Sequence, residues 1–408
     1  MGQTLSEPIV LKDSSAGVDQ RLMYGASAMQ GWRVTMEDAH TTIMNLEEEL
    51  PFGTNTGAGR RVEPGHAFFA VYDGHGGSRV AQYSGKNLHR VLVKHPLFVA
   101  HEYEKAIRAV FLQMDQNLRE DPEYKEEASG CTAVMVLLTP DNELYCGNAG
   151  DSRGVLSRAG TAVPLSYDHK PTNPKETERI HNAGGFVEYG RVNGNLALSR
   201  AMGDFEFKNN ARLPPEEQTV TAAPDVTRTQ LTFPDDEFII LACDGIWDCM
   251  TSQAAVEWVS LMIANGAELH AICETMMNGC VAPLNYSVGA IGSDNMTIVI
   301  IALLNGRSEQ VWRESVKARV TANGLSVQAQ LDAFFVRNPS HRPKPMYLAS
   351  NGRMGRDGDD GDDAADAAHE ARNHGGQGAA ASESVPSPMP MRIAYAADEH
   401  PPAVSEDP

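Results

Sequence analysis

The chain has 408 residues, 42% of them hydrophobic, with 34 Lys and Arg against 54 Asp and Glu, giving a net charge of −20. That length can bury a large core, as one big domain or two ordinary ones, and the acidic balance argues against a nucleic-acid binder, whose footprint is a basic face. Six cysteines, at 131, 146, 243, 249, 273 and 280, include no CxxC pair. They read as buried reduced thiols of an intracellular protein, neither a disulfide frame nor a zinc site. No apolar run approaches the ~18–20 residues of a membrane span, and no signal peptide is visible.

The chain opens Met1-Gly2-Gln3-Thr4-Leu5-Ser6, which fits the N-myristoylation pattern of Gly2 with Ser at the sixth position. Residues 1–20 read as a flexible lead-in. Small and apolar residues then alternate up to Gly31, as in a strand reaching a tight turn. Arg33, Glu37 and Asp38 follow in close order. Alone they suit a salt-bridged surface loop, but an Arg beside paired carboxylates also suits a phosphate-and-metal site. Residues 49–65 read as a surface loop.

Phe68 to Tyr72 is a strand that stops in Asp73-Gly74-His75-Gly76-Gly77. Asp-Gly is a common turn pair, yet the stretch also offers an anionic ligand, an approachable carbonyl and an imidazole. Two helical stripes follow, one from Val80 to Leu92 and one from Ile107 to Leu118, and both are core packing. Thr132 to Leu138 is a buried strand whose hairpin partner ends in Gly150-Asp151. A helix starts at Asn173-Pro174 and stops at Gly184-Gly185, and residues 191–224 are loop-rich.

Glu237 to Cys243 is the strongest strand, and it runs into Asp244-Gly245-Ile246-Trp247-Asp248. Two amphipathic helices are expected over 252–264 and 267–278, and Ser293-Asp294-Asn295 opens a strand from Met296 to Leu304. Helical spacing returns over 308–336, within an extension of 305–350. From residue 351 the composition carries 12 acidic residues against four Arg and one aromatic, so 351–408 reads as a disordered acidic tail.

Asp73 and Asp244 each end an apolar strand, and Asp294 begins one. If the Asp294 strand runs antiparallel to its neighbour, all three carboxylates reach one sheet edge. Such oxygen-only clusters select Mg²⁺ or Mn²⁺, and two ions sharing a carboxylate form a two-metal hydrolytic site.

Six motifs carry a resemblance. They are Gly-Trp-Arg-x-x-Met-Glu-Asp-Ala-His (31–40), Val-Tyr-Asp-Gly-His-Gly-Gly (71–77) and Cys-Gly-Asn-Ala-Gly-Asp-Ser-Arg (146–153). The others are Asp-His-Lys-Pro (168–171), Leu-Ala-Cys-Asp-Gly-Ile-Trp-Asp (241–248) and Ser-Asp-Asn-Met-Thr (293–297). In this order the chain resembles the metal-dependent Ser/Thr protein phosphatases of type 2C over residues 21–304.

The resemblance implies an α+β fold, a sandwich of two antiparallel sheets flanked by α-helices, with 21–304 as the catalytic domain. It implies that Asp73 bridges two Mn²⁺ or Mg²⁺ ions, with Asp244 and Asp294 on one ion and the Gly74 carbonyl on the other. Glu37 and Asp38 would act through water, Arg33 would hold the phosphate and His75 would be the general acid. Asp151 and Asp248, with Asp244, match a weaker third metal position, and Arg191 to about residue 215 corresponds to a mobile flap. The implied reaction is hydrolysis of phosphoserine or phosphothreonine in protein substrates by a metal-activated water. A cysteine-dependent route is disfavoured, since no Cys is followed by Arg six positions later.

Two other classes stand beside this reading: a catalytically silent relative serving as a scaffold, which should lack ligands, and a two-metal nuclease, disfavoured by charge. A monomeric, cytoplasmic signalling enzyme is expected, with weak reversible membrane contact through a myristoyl group.

Overall fold

The computed structural model describes residues 4–49, 65–124, 126–283 and 291–342. Gly2, most of the loop expected over 49–65, the end of the 305–350 extension and the acidic tail lie outside the described residues.

Two antiparallel sheets stack face to face. The first orders Thr4–Val18 (β1), Leu22–Arg33 (β2), Met296–Leu303 (β16), Asp236–Ala242 (β15), Arg153–Arg158 (β9) and Thr161–Pro164 (β10). The second orders Asp225–Gln230 (β14), Glu143–Ala149 (β8), Ala133–Leu138 (β7), Ala67–Tyr72 (β4) and Ala39–Ile43 (β3). Gly74–His75 (β5), Gly130–Cys131 (β6) and Met202–Gly203 (β13) form a three-stranded patch, and Val187–Glu188 (β11) pairs with Arg191–Val192 (β12).

The strands read as unbroken apolar runs because both faces are covered. In β4, Phe69 and Val71 join Leu241 and Val299 between the sheets, while Phe68, Ala70 and Tyr72 face the outer helices. Arg79–Lys94 (α1), the single turn Pro96–Val99 (α2) and Tyr103–Glu120 (α3) cover the second sheet. Pro174–Asn182 (α4) packs through Ile180 into a small satellite core with Val192 and Val220. The first sheet is covered by Asp244–Trp247 (α5), Ser252–Ala264 (α6), Leu269–Cys280 (α7), Glu309–Val320 (α8) and Val327–Arg337 (α9). The helix–sheet–sheet–helix layering expected from the resemblance is thus the observed architecture.

Two expectations are corrected. Residues 4–18 are not a flexible lead-in but the edge strand β1, paired with β2 from Val18↔Met23 to Thr4↔Arg33. Its register shifts between Thr4 and Ile9, around Pro8, as suits a residue without an N–H at a sheet edge. On α7 it is tied by Lys12 Nζ to Asn278 Oδ1 at 2.5 Å and Ser14 Oγ to Glu274 Oε1 at 2.8 Å. The second correction concerns α6, which is not one-sided: Trp258, Val259 and Ile263 share a core with Trp312, Val316, Leu331 and Phe334 of α8 and α9. The terminal helices cover the face that would otherwise meet water.

Candidate metal centre and active site

The site forms where strands of both sheets end together. Asp73 follows β4, and Asp38 immediately precedes its partner β3, whose Ala39 pairs with Tyr72. Asp244 lies just past β15, and Asp294 lies just before β16, the antiparallel neighbour of β15. Arg33 ends β2, which pairs with β16 at Met29↔Met296. Antiparallel pairing brings Asp244 and Asp294 to one edge of the first sheet, but Asp73 belongs to the second, so the expectation of a single sheet edge is corrected: the three carboxylates meet because the two stacked sheets end together here.

The cluster is charged and only partly compensated. Burial pushes the Asp73 carboxyl well above the usual carboxylate range, and repulsion from Asp244, Asp38, Asp151 and Asp294 adds to it. Asp244 is raised in the same way by burial and by Asp151, Asp294 and Asp248. Asp38 is pushed up to about 6 by burial, although it accepts a hydrogen bond from Thr297 Oγ1 at 2.7 Å. Among the described residues, two cations pair with this charge: Arg33 Nη2 lies 2.5 Å from Asp294 Oδ2, and Lys170 Nζ lies 2.5 Å from Asp151 Oδ2.

Asp38, Asp73 and Cys243 bring one donor atom each within 4.8 Å of one another. The thiol is a packing group: burial pushes it well above its usual range, and its Sγ accepts from the Thr297 amide at 3.1 Å. A neutral thiol does not ligate a hard cation, so the donors are carboxylates, the set that suits Mg²⁺ or Mn²⁺. Gly74 leaves no room for a side chain, since a Cβ there would stand 2.2 Å from the Glu37 carbonyl oxygen. Its backbone can therefore lie against the Glu37–Asp38 turn. The residues present fit divalent cations.

Glu37 receives the Gly77 amide on Oε2 at 3.2 Å, and its own amide donates to Asn295 Oδ1 at 2.9 Å. Asn295 Nδ2 also donates to the carbonyls of Gln30 at 2.7 Å and Thr35 at 3.0 Å, stapling the Arg33–Asp38 loop to the start of β16. Asp248, at the end of α5, is exposed as a residue, yet partial desolvation of its carboxyl against the cluster, with repulsion from Asp151, raises it despite Lys170. His75 Nε2 lies 2.8 and 2.7 Å from the two oxygens of Asp204. Burial acts to lower the His75 pKa, but the Asp204 carboxylate outweighs it and the net shift is upward.

The ten residues expected at the site gather where these strand ends of the two sheets meet. Arg191, where the expected flap begins, turns back on its own hairpin, its Nη1 donating to Asn195 O at 2.7 Å. From the loop after it, Asp204 reaches the site. Asp204, Lys170, Asn295 and Thr297 had no role assigned from sequence. Three of them stand inside quoted motifs, and Asp204 follows a glycine, as Asp151 does.

The sequence pattern described as "PP2C: Protein phosphatase 2C" matches residues 22–287. The chain belongs to the protein phosphatase 2C family. A protein phosphatase 2C homolog 2 of Aspergillus flavus is 52% identical over 321 residues, covering 78% of this chain and 72% of the relative. A protein phosphatase 2C homolog 2 of Schizosaccharomyces pombe is 49% identical over 322 residues, covering 79% and 84%. A crystal structure of a Toxoplasma gondii phosphatase matches with TM-score 0.59 and 26% identity, covering 72% of this chain and 96% of that one. Membership makes the chain a protein Ser/Thr phosphatase, of a family that is metal-dependent.

Proposed function

We propose that this protein phosphatase 2C hydrolyses phosphoserine and phosphothreonine in proteins with two divalent cations, Mn²⁺ or Mg²⁺. Asp73, the Gly74 carbonyl, Asp244 and Asp294 would hold them, with Glu37 and Asp38 acting through water, and Asp151 and Asp248, with Asp244, taking a weaker third ion. The observation that carries this reading is the carboxylate cluster itself, where the two sheets end together and burial and mutual repulsion raise Asp73 and Asp244. Cations bound there supply positive charge for the phosphate and acidify water.

The chain's own residues do the rest. Arg33, exposed at the end of β2, presents a planar fork that matches two phosphate oxygens. A serine or threonine alkoxide is a poor leaving group, and His75 donates the proton that its oxygen needs as the P–O bond breaks. Hydroxide attacks phosphorus in line, so no phosphoenzyme forms.

The deciding assay is phosphate release from a phosphothreonine peptide with Mn²⁺ or Mg²⁺, with and without chelator. Turnover that chelator abolishes supports the reading. Metal-independent turnover, or none in folded protein loaded with metal, refutes it, and the latter leaves a silent scaffold.

The same reading includes N-myristoylation at Gly2 in a monomeric, cytoplasmic enzyme. A single acyl chain gives only about 10⁴ M⁻¹ of membrane affinity. Residues 2–30 add Lys12 and Arg21 against Glu7, Asp13 and Asp19, and no cysteine. Membrane contact is therefore reversible, and an acidic chain is repelled by an anionic leaflet. Intact mass of the native protein tests the lipid, and fractionation tests the reversibility.

A further inference from the structure

The three-stranded patch β13–β6–β5 serves one juxtaposition. His75 pairs with Gly130, and Gly130 pairs in turn with Gly203, so the residue after Gly203 arrives opposite His75 from 129 positions away. That residue is Asp204, 4% exposed, with both carboxylate oxygens within 2.8 Å of His75 Nε2. A carboxylate is costly to bury without a partner, and here the partner is the imidazole.

Three features hold the pair in place. Asp204 adopts φ 49°, the left-handed region that Asp and Asn tolerate better than most residues. Asp115 on α3 accepts from the Gly203 amide at 2.8 Å and from Lys208 Nζ at 2.7 Å, clamping the backbone on both sides of Asp204. Gly130 leaves the space that the pair occupies, since a Cβ there would stand 2.2 Å from Asp204 Oδ2 and 2.6 Å from His75 Nε2.

We infer that Asp204 is the positioning residue of the general acid: it holds Nε2–H of His75 and so fixes Nδ1 as the nitrogen that protonates the leaving group. The inference rests on the reading of His75 as the acid. In the step, hydroxide bonds to phosphorus while the bond from phosphorus to the serine or threonine oxygen breaks, its electron pair staying on that oxygen. The proton on Nδ1 passes to the same oxygen, giving the free alcohol and inorganic phosphate. The neutral imidazole then regains a proton from solvent, which had received the one water lost in forming hydroxide. Asp204 keeps Nε2–H throughout and is not itself protonated, the part an aspartate plays behind a catalytic histidine in acyl transfer.

The test compares leaving groups. Turnover of a phosphoserine peptide and of an aryl phosphate, whose phenolate leaves unaided, is measured at saturating Mn²⁺ for wild type, Asp204→Asn, His75→Ala and the double variant. Asn suits the left-handed backbone, and folding of each protein is checked by its melting temperature. General acid catalysis contributes roughly 10²–10⁴-fold. Asp204→Asn should cost a part of this on the peptide, roughly 10–100-fold in kcat, with peptide KM and aryl turnover changed less than about threefold. In the double variant it should add nothing to the loss from His75→Ala.

Gly130→Ala is the second probe. It keeps both side chains but forces them apart, and it should show the same selective loss on the peptide. Equal losses on both substrates, or no loss, in Asp204→Asn while His75→Ala stays selective would overturn the role of Asp204 alone. A uniform loss in His75→Ala would overturn the general-acid reading beneath it.

Discussion

Arg319 on α8 grips Glu237 on β15 through two parallel hydrogen bonds, Nε to Oε1 at 2.6 Å and Nη2 to Oε2 at 2.9 Å. Glu237 also accepts from Ser157 Oγ at 2.8 Å, and Arg319 donates to Ser260 Oγ at 2.9 Å. The clamp binds a helix beyond the expected catalytic domain to the strand that delivers Asp244. Arg319→Ala leaves a buried carboxylate without its cation, and breaking such pairs costs about 3–5 kcal/mol. With Arg319 about a quarter exposed, the expected loss is nearer about 2–3 kcal/mol, read from urea denaturation. Turnover per folded molecule should stay near wild type, and an unchanged midpoint would show that the clamp is ornamental.

Asp73→Asn and Asp244→Asn should each abolish phosphatase activity while the protein stays folded. Each swaps an anionic donor for a neutral amide at a strand end, where core packing changes little. Both carboxylates are raised by burial and repulsion, so neutralising one should hold or raise the melting temperature of metal-free protein. The stabilisation that Mn²⁺ gives wild type should shrink in both variants, because a ligand's stabilisation grows with the logarithm of its affinity for the folded state. Near-normal turnover at saturating Mn²⁺ would sink the two-metal assignment.

Acid should unfold the protein partly through Glu176 on α4. Burial acts to raise this carboxyl, but hydrogen bonds from Arg200 and the charge of Arg179 outweigh it and hold it down to about 2. Arg200 Nη2 lies 2.7 Å from Oε1, and Ser199 Oγ lies 2.7 Å from Oε2. A folded pKa below the usual 4.5 means stability that is fully present above that pH and is lost as pH falls towards 2. The contribution is of order 3 kcal/mol. Urea midpoints from pH 5 to 2.5 should fall more steeply in wild type than in Glu176→Gln, and parallel slopes would remove Glu176 from the account.

Deletions at the two ends should behave differently. Removing residues 1–18 takes away β1, whose pairing reaches Thr4↔Arg33 beside the site, and should lower both the melting temperature and peptide turnover. Removing residues 351–408 should leave turnover at saturating metal within a few-fold, because so acidic a composition offers little apolar surface to a core. An inert N-terminal deletion would show that β1 is dispensable, and collapse of the tail-less protein would show that the tail packs.

The metal donors were legible because their signal is local. An apolar run that ends in Asp-Gly marks a strand end and a carboxylate at once, as at Asp73 and Asp244, and the residue types alone point to hard cations. The helices after residue 308 were legible for the same reason, since Val311, Trp312 and Val316 repeat with helical spacing. The layering of the sheets came from the resemblance, because a strand covered on both faces shows no alternation by which to tell the inner face from the outer.

Only the tertiary structure decided the rest. Thr4–Val18 has no strand-like alternation, and it is a strand because its backbone bonds to β2, an interaction almost blind to side chains. The helix α6 looks one-sided until α8 and α9 close over it. Asp204 meets His75 because Gly130 stands between them in a two-residue strand. Each of these depends on which distant backbones pair, whereas local sequence patterns report only how a residue sits among its neighbours in the chain.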